Sequence, residues 1–559
     1  MNPTLSAAQT LAVFADPEAS VAELLCDRHD PNAVAFVLVD PDGAVHDLTY
    51  GQLRQRSEAV AGVLASLGVS QGDRVATLMG KGADLVSVIL GAWRLGAAYV
   101  PLFTAFSTGA VTSRLAGSRA RVVVVDPGQR SKVDSKQLPD CKVILTGEAD
   151  PGEADPGGDE PTLGALIDAA PPHTCPPARI GGSGALVHMF TSGTTGKPKG
   201  VVHPLTYAAG WQVYLEYALG VTKISRYWSA ADPGWAYGLY TAIVAPLAAG
   251  IPSLLATGNF SAPSTWAILA SQGITDFAAA PTVYRALAAY AGPIPDGVRL
   301  ARASSAGEPL TPDVNIWAEP NLGVTVHDHF GQTELGMVLA NHHHDDLAAP
   351  VKAGSMGRSV PGWQMTVLAA RSDELAPAGE FGRLAVDVAN SPLMTFQDYA
   401  DASAAAKFTP DRRFYRTGDN ARIDPDGDFF FSARDDDVII MAGYRIGPFE
   451  IESVLSEHPA VVECAVIAAP DQVRGEVIEA YVVARGEGGT GDAGLAPAAR
   501  DTLAKELQDH VKTRYAAHAY PRAIHFVDQL PKTPSGKVKR DELRARRRDE
   551  LQRTTGTIA

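Results

Sequence analysis

The chain has 559 residues, 46% of them hydrophobic and 20% charged, which is too long for one hydrophobic core and balanced as in a globular, multidomain protein. Its 48 Lys+Arg against 63 Asp+Glu give a formal net charge of -15, which excludes a surface built throughout for nucleic acid. The four cysteines Cys26, Cys141, Cys175 and Cys464 are scattered and form no CxxC pair, so neither a zinc site nor a disulfide framework is expected and a reducing cytoplasm is the natural setting.

The N-terminal stretch MNPTLSAAQTLAVFADPEAS carries no Lys or Arg before Arg28 and so reads as neither a signal nor a transit peptide. From about Leu48 to Ala256, helical periodicity alternates with short apolar runs: LRQRSEAVAGVLASLGV, RVATLM, DLVSVILGAWRLGA, RVVVVD and KVILTG. That alternation predicts parallel βαβ units and a doubly wound α/β domain. The segment from Gly147 to Gly184, rich in Pro, Gly and acids, reads as a surface connection leading into the strand ALVHMF. The apolar run from Thr241 to Ala256 is broken by Pro246, Gly250 and Pro252, so it is expected to be core with a turn and not a membrane span. From Val351 to Val388 short strands predict a β-rich subdomain. After RDDD at Arg434 to Asp437 the pattern restarts as helix, two strands and helix, enough for a small α+β domain. The expected division is therefore 1–434 and 435–559, with a hinge at Asp436 and a mobile C-terminal domain. The closing KVKRDELRARRRDELQR interleaves acids with bases and reads as a solvated helix, not a nucleic-acid arm.

The stretch TSGTTGKPK, Thr191 to Lys199, resembles a phosphate loop but departs from the Walker pattern GxxxxGKS/T, because Pro198 follows Lys197. Proline has no N–H and disfavours helix in the residue before it, so no helix N-terminus is expected there. What remains is a hairpin of hydroxyls, glycines and lysines suited to covering a polyphosphate. His203, just beyond it, is expected to pack locally.

Five further segments accompany this hairpin: ADPGWAYGLY from Ala231, SSAGEPL from Ser304, HFGQTELG from His329, YRTGDNARIDPDGDFFFSARDDDVIIMAGYRIGPFEIE from Tyr415, and LPKTPSGKVKR from Leu530. Together, in order and spacing from about Leu48 to Arg540, they resemble the adenylate-forming superfamily of acyl-CoA synthetases, peptide-synthetase adenylation domains and firefly luciferases. Activating a carboxylate with ATP demands donors and a metal around a reacting phosphate. The resemblance implies that Thr191, Ser192, Gly193, Thr194, Thr195, Gly196 and Lys199 hold the phosphates, that Thr333 meets the α-phosphate, and that Glu334 binds Mg2+. It implies that Gly307, Glu308 and Pro309 line the adenine with Phe330 against its face, where this family more often has tyrosine. Asp419 and Arg434 are implied to bind the ribose; the residue before that arginine is Ala433 in place of the usual glycine. Lys537 is implied to reach the α-phosphate during adenylation. Gly443 then lines the pantetheine tunnel once the small domain has turned about Asp436, and Arg445 either contacts coenzyme A or pairs with Glu450 or Glu452.

The resemblance thus implies ATP, Mg2+ and coenzyme A as cofactors, and an AMP-forming acid–thiol ligase. Acetate and propionate relatives place tryptophan before the QTE motif, where this chain has Gly331; the missing side chain predicts a roomier acyl pocket. Trp235, Tyr237, Gly238, Ala306, Gly331 and Met337 are its candidate lining, and a medium-chain or aromatic carboxylate the expected substrate. The alternative is a module that loads a carrier protein. Amino-acid modules carry an aspartate where this chain has Ala236, which would leave a buried ammonium without a counter-ion. A noncatalytic nucleotide sensor is the third reading. The acid, ATP and coenzyme A are the expected partners, with no nucleic acid, no membrane insertion, and a homodimer as the one assembly considered. His342, His343 and His344 are adjacent on one loop and cannot readily share a tetrahedral ion.

Overall fold

The run RVVVVD lies at Val122–Val125 as a strand buried on both faces, the environment in which a β-branched stretch without alternation is stable. The computed structural model describes residues 3–147, 160–191, 198–441, 444–471, 475–486, 489–490, 497–516, 519–533 and 537–556. In the first sheet the strands lie in the order Lys142–Leu145, Val122–Val125, Arg74–Leu78, Ala98–Pro101, Ala185–Thr191, Lys199–Pro204. The first five run parallel and the last returns antiparallel.

Its covering helices begin where the side chains say they should. Tyr50–Ser66 starts at a reciprocal capping box, Gln52 N–H to Thr49 Oγ1 at 3.2 Å and Thr49 N–H to Gln52 Oε1 at 2.9 Å. It packs on Ala83–Arg94, where a Cβ on Gly91 would stand 2.8 Å from Val60 Cγ1; only glycine permits that approach. Arg94, 2% exposed, ends this helix in a two-pronged pair with Asp27 at 2.6 and 2.9 Å, which compensates the burial of its charge.

The second sheet has thirteen strands among the described residues. Val326–Gln332, Arg302–Ala306, Asp276–Ala279, Tyr227–Ser229, Ser253–Ala256 and Val34–Val39 form its parallel part, edged by Val45–Thr49. The β-rich stretch read from Val351 onward is continuous with it. Gly336–Ala340 pairs antiparallel with Ser355–Ser359, and Phe429–Arg434, Phe414–Ile423, Gly382–Asp387 and Met365–Leu368 follow in space. The surface connection contains a short helix the sequence reading missed, Leu163–Ala169, capped by Thr162.

The C-terminal part has its own sheet, centred on Gly475–Gly486 between Ile439–Met441 and Val461–Asp471, with Ala523–Phe526 parallel to it. Its core of Ile439, Ile451, Val466, Ile478, Leu507 and Val511 is separate from the N-terminal cores. The fold is thus mixed α/β, a large N-terminal sheet domain followed by a smaller one. The last helix, Arg540–Gly556, corrects the solvated reading on one face. Arg540 Nη2 donates to both carboxylate oxygens of Glu452 at 2.7 Å, Arg544 reaches Asp437 at 2.6 Å, and Arg547 reaches Glu479 at 2.7 Å. No helix among the described residues is long and apolar enough to cross a membrane.

Candidate active site

Thr191 ends one strand and pairs in register with Lys199, which begins the next, so the hairpin carrying the phosphate-loop motif is held at its base by the antiparallel edge of the first sheet. Ser192, Gly193, Thr194, Thr195 and Gly196 lie outside the described residues. Lys199 places its ammonium 4.8 Å above the ring of Tyr399.

The QTE segment is the tip between Val326–Gln332 and Gly336–Ala340, closed by Leu335 N–H to Gln332 O at 3.1 Å and by Gly336 at φ +81°. Its main chain is fixed from below. The Thr333 carbonyl accepts from His203 Nε2 at 2.7 Å and from the Tyr207 hydroxyl at 2.9 Å, while His203 stacks on Tyr207 at 3.9 Å. A carbonyl only accepts, so His203 carries its proton on Nε2 and takes the Tyr240 hydroxyl on Nδ1 at 2.8 Å. Burial pushes the imidazole down to about 3, which keeps this tautomer neutral. The local packing expected of His203 is therefore a support for Thr333. Glu334 is buried, and the Tyr399 hydroxyl donates to its Oε1 at 2.6 Å.

Asp419, 3% exposed, lies on Phe414–Ile423 and accepts from Gln332 Nε2 at 2.6 Å. The same amide reaches the Thr417 carbonyl at 3.0 Å, so its nitrogen is assigned by two acceptors and its oxygen faces the other way. Arg434 stands 3.7 Å from Asp419 and 3.6 Å from Asp436. Burial raises Asp419 to about 6, against the pull of Arg434 and Lys407. Gly307, at φ +100°, turns the chain out of Arg302–Ala306 and presents Glu308 and Pro309. Glu308 pairs with Arg285 at 3.2 Å; burial raises its pKa while Arg285 and then Lys537 oppose.

Lys537 reaches this site from the C-terminal domain. Its loop is closed on itself, Thr533 N–H to Lys537 O at 2.8 Å and Lys537 N–H to Thr533 Oγ1 at 3.1 Å. The surrounding protein draws the pKa of the ammonium down and Arg434 adds to this, while Glu308, Asp419 and Glu334 oppose. Glu308, Glu334, Asp419 and Arg434, far apart in sequence, are thus within electrostatic range of Lys537.

Of the acyl candidates, Gly331 pairs with Met337, Ala306 lies on the adjacent strand opposite His329, Tyr237 meets Tyr214, and Trp235 is edge-on to Phe103 at 6.1 Å. A Cβ on Gly331 would meet Gly336 O at 2.2 Å and Met337 Sδ at 2.6 Å. The space expected beside Gly331 is therefore filled by the neighbouring strand and the Met337 thioether, a correction to the reading that the missing side chain leaves it open. Gly238 is held by backbone packing, since its Cβ would be 2.0 Å from Asp232 O. The Tyr237 hydroxyl lies 3.2 Å from that of Tyr214, which donates to His329 Nδ1 at 2.6 Å; His329 Nε2 in turn donates to Asn341 O at 3.1 Å. Phe330 is half-buried beside Gly331. His342, His343 and His344 do not converge: His343 reaches the Ala303 carbonyl, and His344 Nδ1 accepts from Asp346 N–H.

Gly443 and the Arg445 side chain lie outside the described residues. The carboxylates offered as Arg445 partners have other partners, Glu452 with Arg540 and Glu450 with Tyr515 at 3.0 Å. Sequence reasoning missed Gln332, His203, Tyr207 and Tyr399 as supports of the site.

A strand pair bearing the phosphate-loop motif, the buried carboxylate of Asp419 and a lysine from the C-terminal domain are groups that suit the activation of a carboxylate with ATP. The profile of the AMP-binding enzyme family matches residues 26–392, and that of the AMP-binding enzyme C-terminal domain matches 450–537. The acetyl-coenzyme A synthetase of Bacillus subtilis is 35% identical over 508 residues, 89% of this chain and 84% of its own length. The crystal structure of an acyl-CoA synthetase from Brucella canis superposes with TM-score 0.73 at 40% identity, covering 97% of both chains. That of a benzoate CoA ligase from Burkholderia xenovorans LB400 does so with TM-score 0.78 at 28% identity, covering 94% of this chain and 100% of that one. The chain belongs to the AMP-binding enzyme family, as an AMP-forming acyl-CoA synthetase using ATP and coenzyme A. All three relatives are named for coenzyme A chemistry, so the carrier-loading alternative is not favoured.

Proposed function

We propose that this acyl-CoA synthetase activates a medium-chain or aromatic carboxylic acid, first as acyl-AMP with release of pyrophosphate and then as the coenzyme A thioester. The observation that supports the two-step reading is Lys537, a residue of the C-terminal domain within electrostatic range of Glu308, Glu334, Asp419 and Arg434. An ammonium there is suited to the negative charge that develops on the α-phosphate. In this reading Thr191, Lys199 and the hairpin between them hold the β and γ phosphates, and Thr333 meets the α-phosphate. Two buried acceptors have no protein partner among the described residues, Glu308 Oε1 and Gln332 Oε1. They suit donors of a nucleotide, as do the Asp419 oxygens for ribose hydroxyls.

Glu334 fits a divalent cation of the Mg2+ type: it is a hard oxygen donor with one oxygen already engaged by a neutral phenol. Mg2+ held there would neutralise phosphate charge. After pyrophosphate leaves, the domain that begins near Asp436 turns, Lys537 withdraws, and the segment with Gly443 and Arg445 approaches the acyl-adenylate to admit coenzyme A.

The acid is the finer part of the reading. The benzoate ligase relative supports an aromatic acid, and the acetyl relative sets the competing possibility of a short one. ATP/pyrophosphate exchange across acetate to dodecanoate, benzoate and phenylacetate, followed by thioester detection, tests it. A maximum at medium-chain or aromatic acids with thioester formed is the expected result; a maximum at acetate overturns the substrate assignment.

A further inference from the structure

The Tyr399 ring is fixed on three sides. Lys199 caps one face at 4.8 Å, Phe396 meets it edge-on at 5.1 Å, and Ala400 N–H bonds to Gly200 O at 2.8 Å, tying this segment to the strand that carries Lys199. From that position its hydroxyl donates to Glu334 Oε1 at 2.6 Å, in the range of charge-assisted O–H···O bonds. Both residues are buried, at 6% and 9% exposure. The hydrogen bond leaves Oε2 as the oxygen not engaged by the phenol.

A glutamate side chain is otherwise free to rotate about three torsions, and a carboxylate that must hold a hard cation gains from having one orientation. We propose that Tyr399 is a positioning residue that fixes Glu334 with Oε2 directed to the divalent cation that accompanies ATP, and that Lys199, packed on the same ring, sets phosphate hairpin and cation ligand in register. This rests on the reading above that Glu334 holds the cation. It goes beyond that reading in giving the ligand a fixed orientation and a mechanical link to the phosphate hairpin through one aromatic ring.

The consequence is a defect confined to the cation. Tyr399→Phe keeps the ring, the Lys199 contact and the Phe396 packing, and removes only the donor. With Mn2+ as probe and α,β-methylene-ATP as the unreactive nucleotide, bound Mn2+ is counted by electron paramagnetic resonance. The expected result is a Mn2+ dissociation constant raised about 10- to 100-fold, the range for losing a hydrogen bond that orients a metal ligand. AMP affinity measured without metal should be unchanged, and exchange activity should recover at high Mg2+. Glu334→Gln is measured alongside. If Glu334→Gln loses Mn2+ and Tyr399→Phe binds it normally, the positioning role is overturned and the ligand assignment stands. If neither variant affects Mn2+, the ligand assignment itself fails. Equal losses of Mn2+ and AMP affinity in Tyr399→Phe would also overturn the proposal, because they would mark a general collapse of the site.

Discussion

Gln332 and Asp419 meet at 2.6 Å although their strands are not neighbours in the sheet, so one amide joins the QTE tip to the antiparallel part that carries Asp419, the carboxylate proposed for ribose. Asp419 is held at about 6 in the fold against 3.8 ordinarily. A raised carboxylate favours the folded state in its protonated form, so its contribution to stability is complete below about 3.8 and is lost as pH rises through about 6. The proposed ribose contact makes the opposite demand, because hydroxyl donors are best met by an ionised acceptor. The KM for ATP should therefore climb by about tenfold per pH unit below that value, the slope of a single protonation. Asp419→Asn should bind ATP weakly and with no such slope. A wild-type KM that stays flat from pH 7 to pH 5 would contradict the assignment.

Lys537 is within electrostatic range of Glu308, Arg434, Asp419 and Glu334, the charged groups of the proposed nucleotide site, three of them carboxylates. Lys537→Ala should slow acyl-AMP formation at least about a hundredfold, the scale of one lost transition-state contact. Thioester formation from supplied acyl-AMP should be nearly unaffected, since that step follows withdrawal of the lysine. Single-turnover measurement of the two half reactions separates the cases. Equal losses in both would remove the argument for domain alternation.

The elements that position the site were legible because their signals are local. Thr49 with Gln52 announces a helix start, and four valines in a row announce a doubly covered strand. The supports of the site were not legible. Tyr399 acts on a residue 65 positions away, and His203 acts on a carbonyl 130 positions away, so neither leaves a pattern in its own neighbourhood. The last helix is an intermediate case. Its arginines at 540, 544 and 547 recur at helical spacing on one face, a signal that was present but outweighed by the mixture of charges around them. Gly331 misled for another reason: a missing side chain says nothing about which neighbour fills the place, and here Met337 and the Gly336 carbonyl do.

Met337 is therefore the residue expected to limit the acid. Met337→Ala should shift kcat/KM toward longer or bulkier carboxylates, measured as a ratio between octanoate and butyrate within one preparation. The same change should cost about 2 to 5 kcal/mol of stability, as for other buried methionines. The ratio is insensitive to the fraction of folded enzyme, so the two effects are separable. Gly331→Ala should instead damage exchange with every acid, because even a methyl group there collides with backbone. An unchanged octanoate to butyrate ratio in Met337→Ala would place the end of the acyl pocket elsewhere.

Asp437 follows the proposed hinge and is 90% shielded in its side chain, between Arg544 at 2.6 Å and Arg540 at 3.7 Å. Those arginines open the last helix, and Lys537 lies just ahead of it, so the ion pairs tie the position of the lysine to the residue beside the hinge. Removing one partner leaves the other with its weaker pair alone, Asp437 with Arg540 or Arg544 with the exposed Asp541. Asp437→Asn and Arg544→Ala should each slow adenylation by about tenfold, and the double variant should be little worse than either, with a coupling of at least about 1 kcal/mol between contacting residues. Thioester formation from supplied acyl-AMP should fall less in all three. Strict additivity of the two changes would mean that the pair does not transmit the position of the hinge to Lys537.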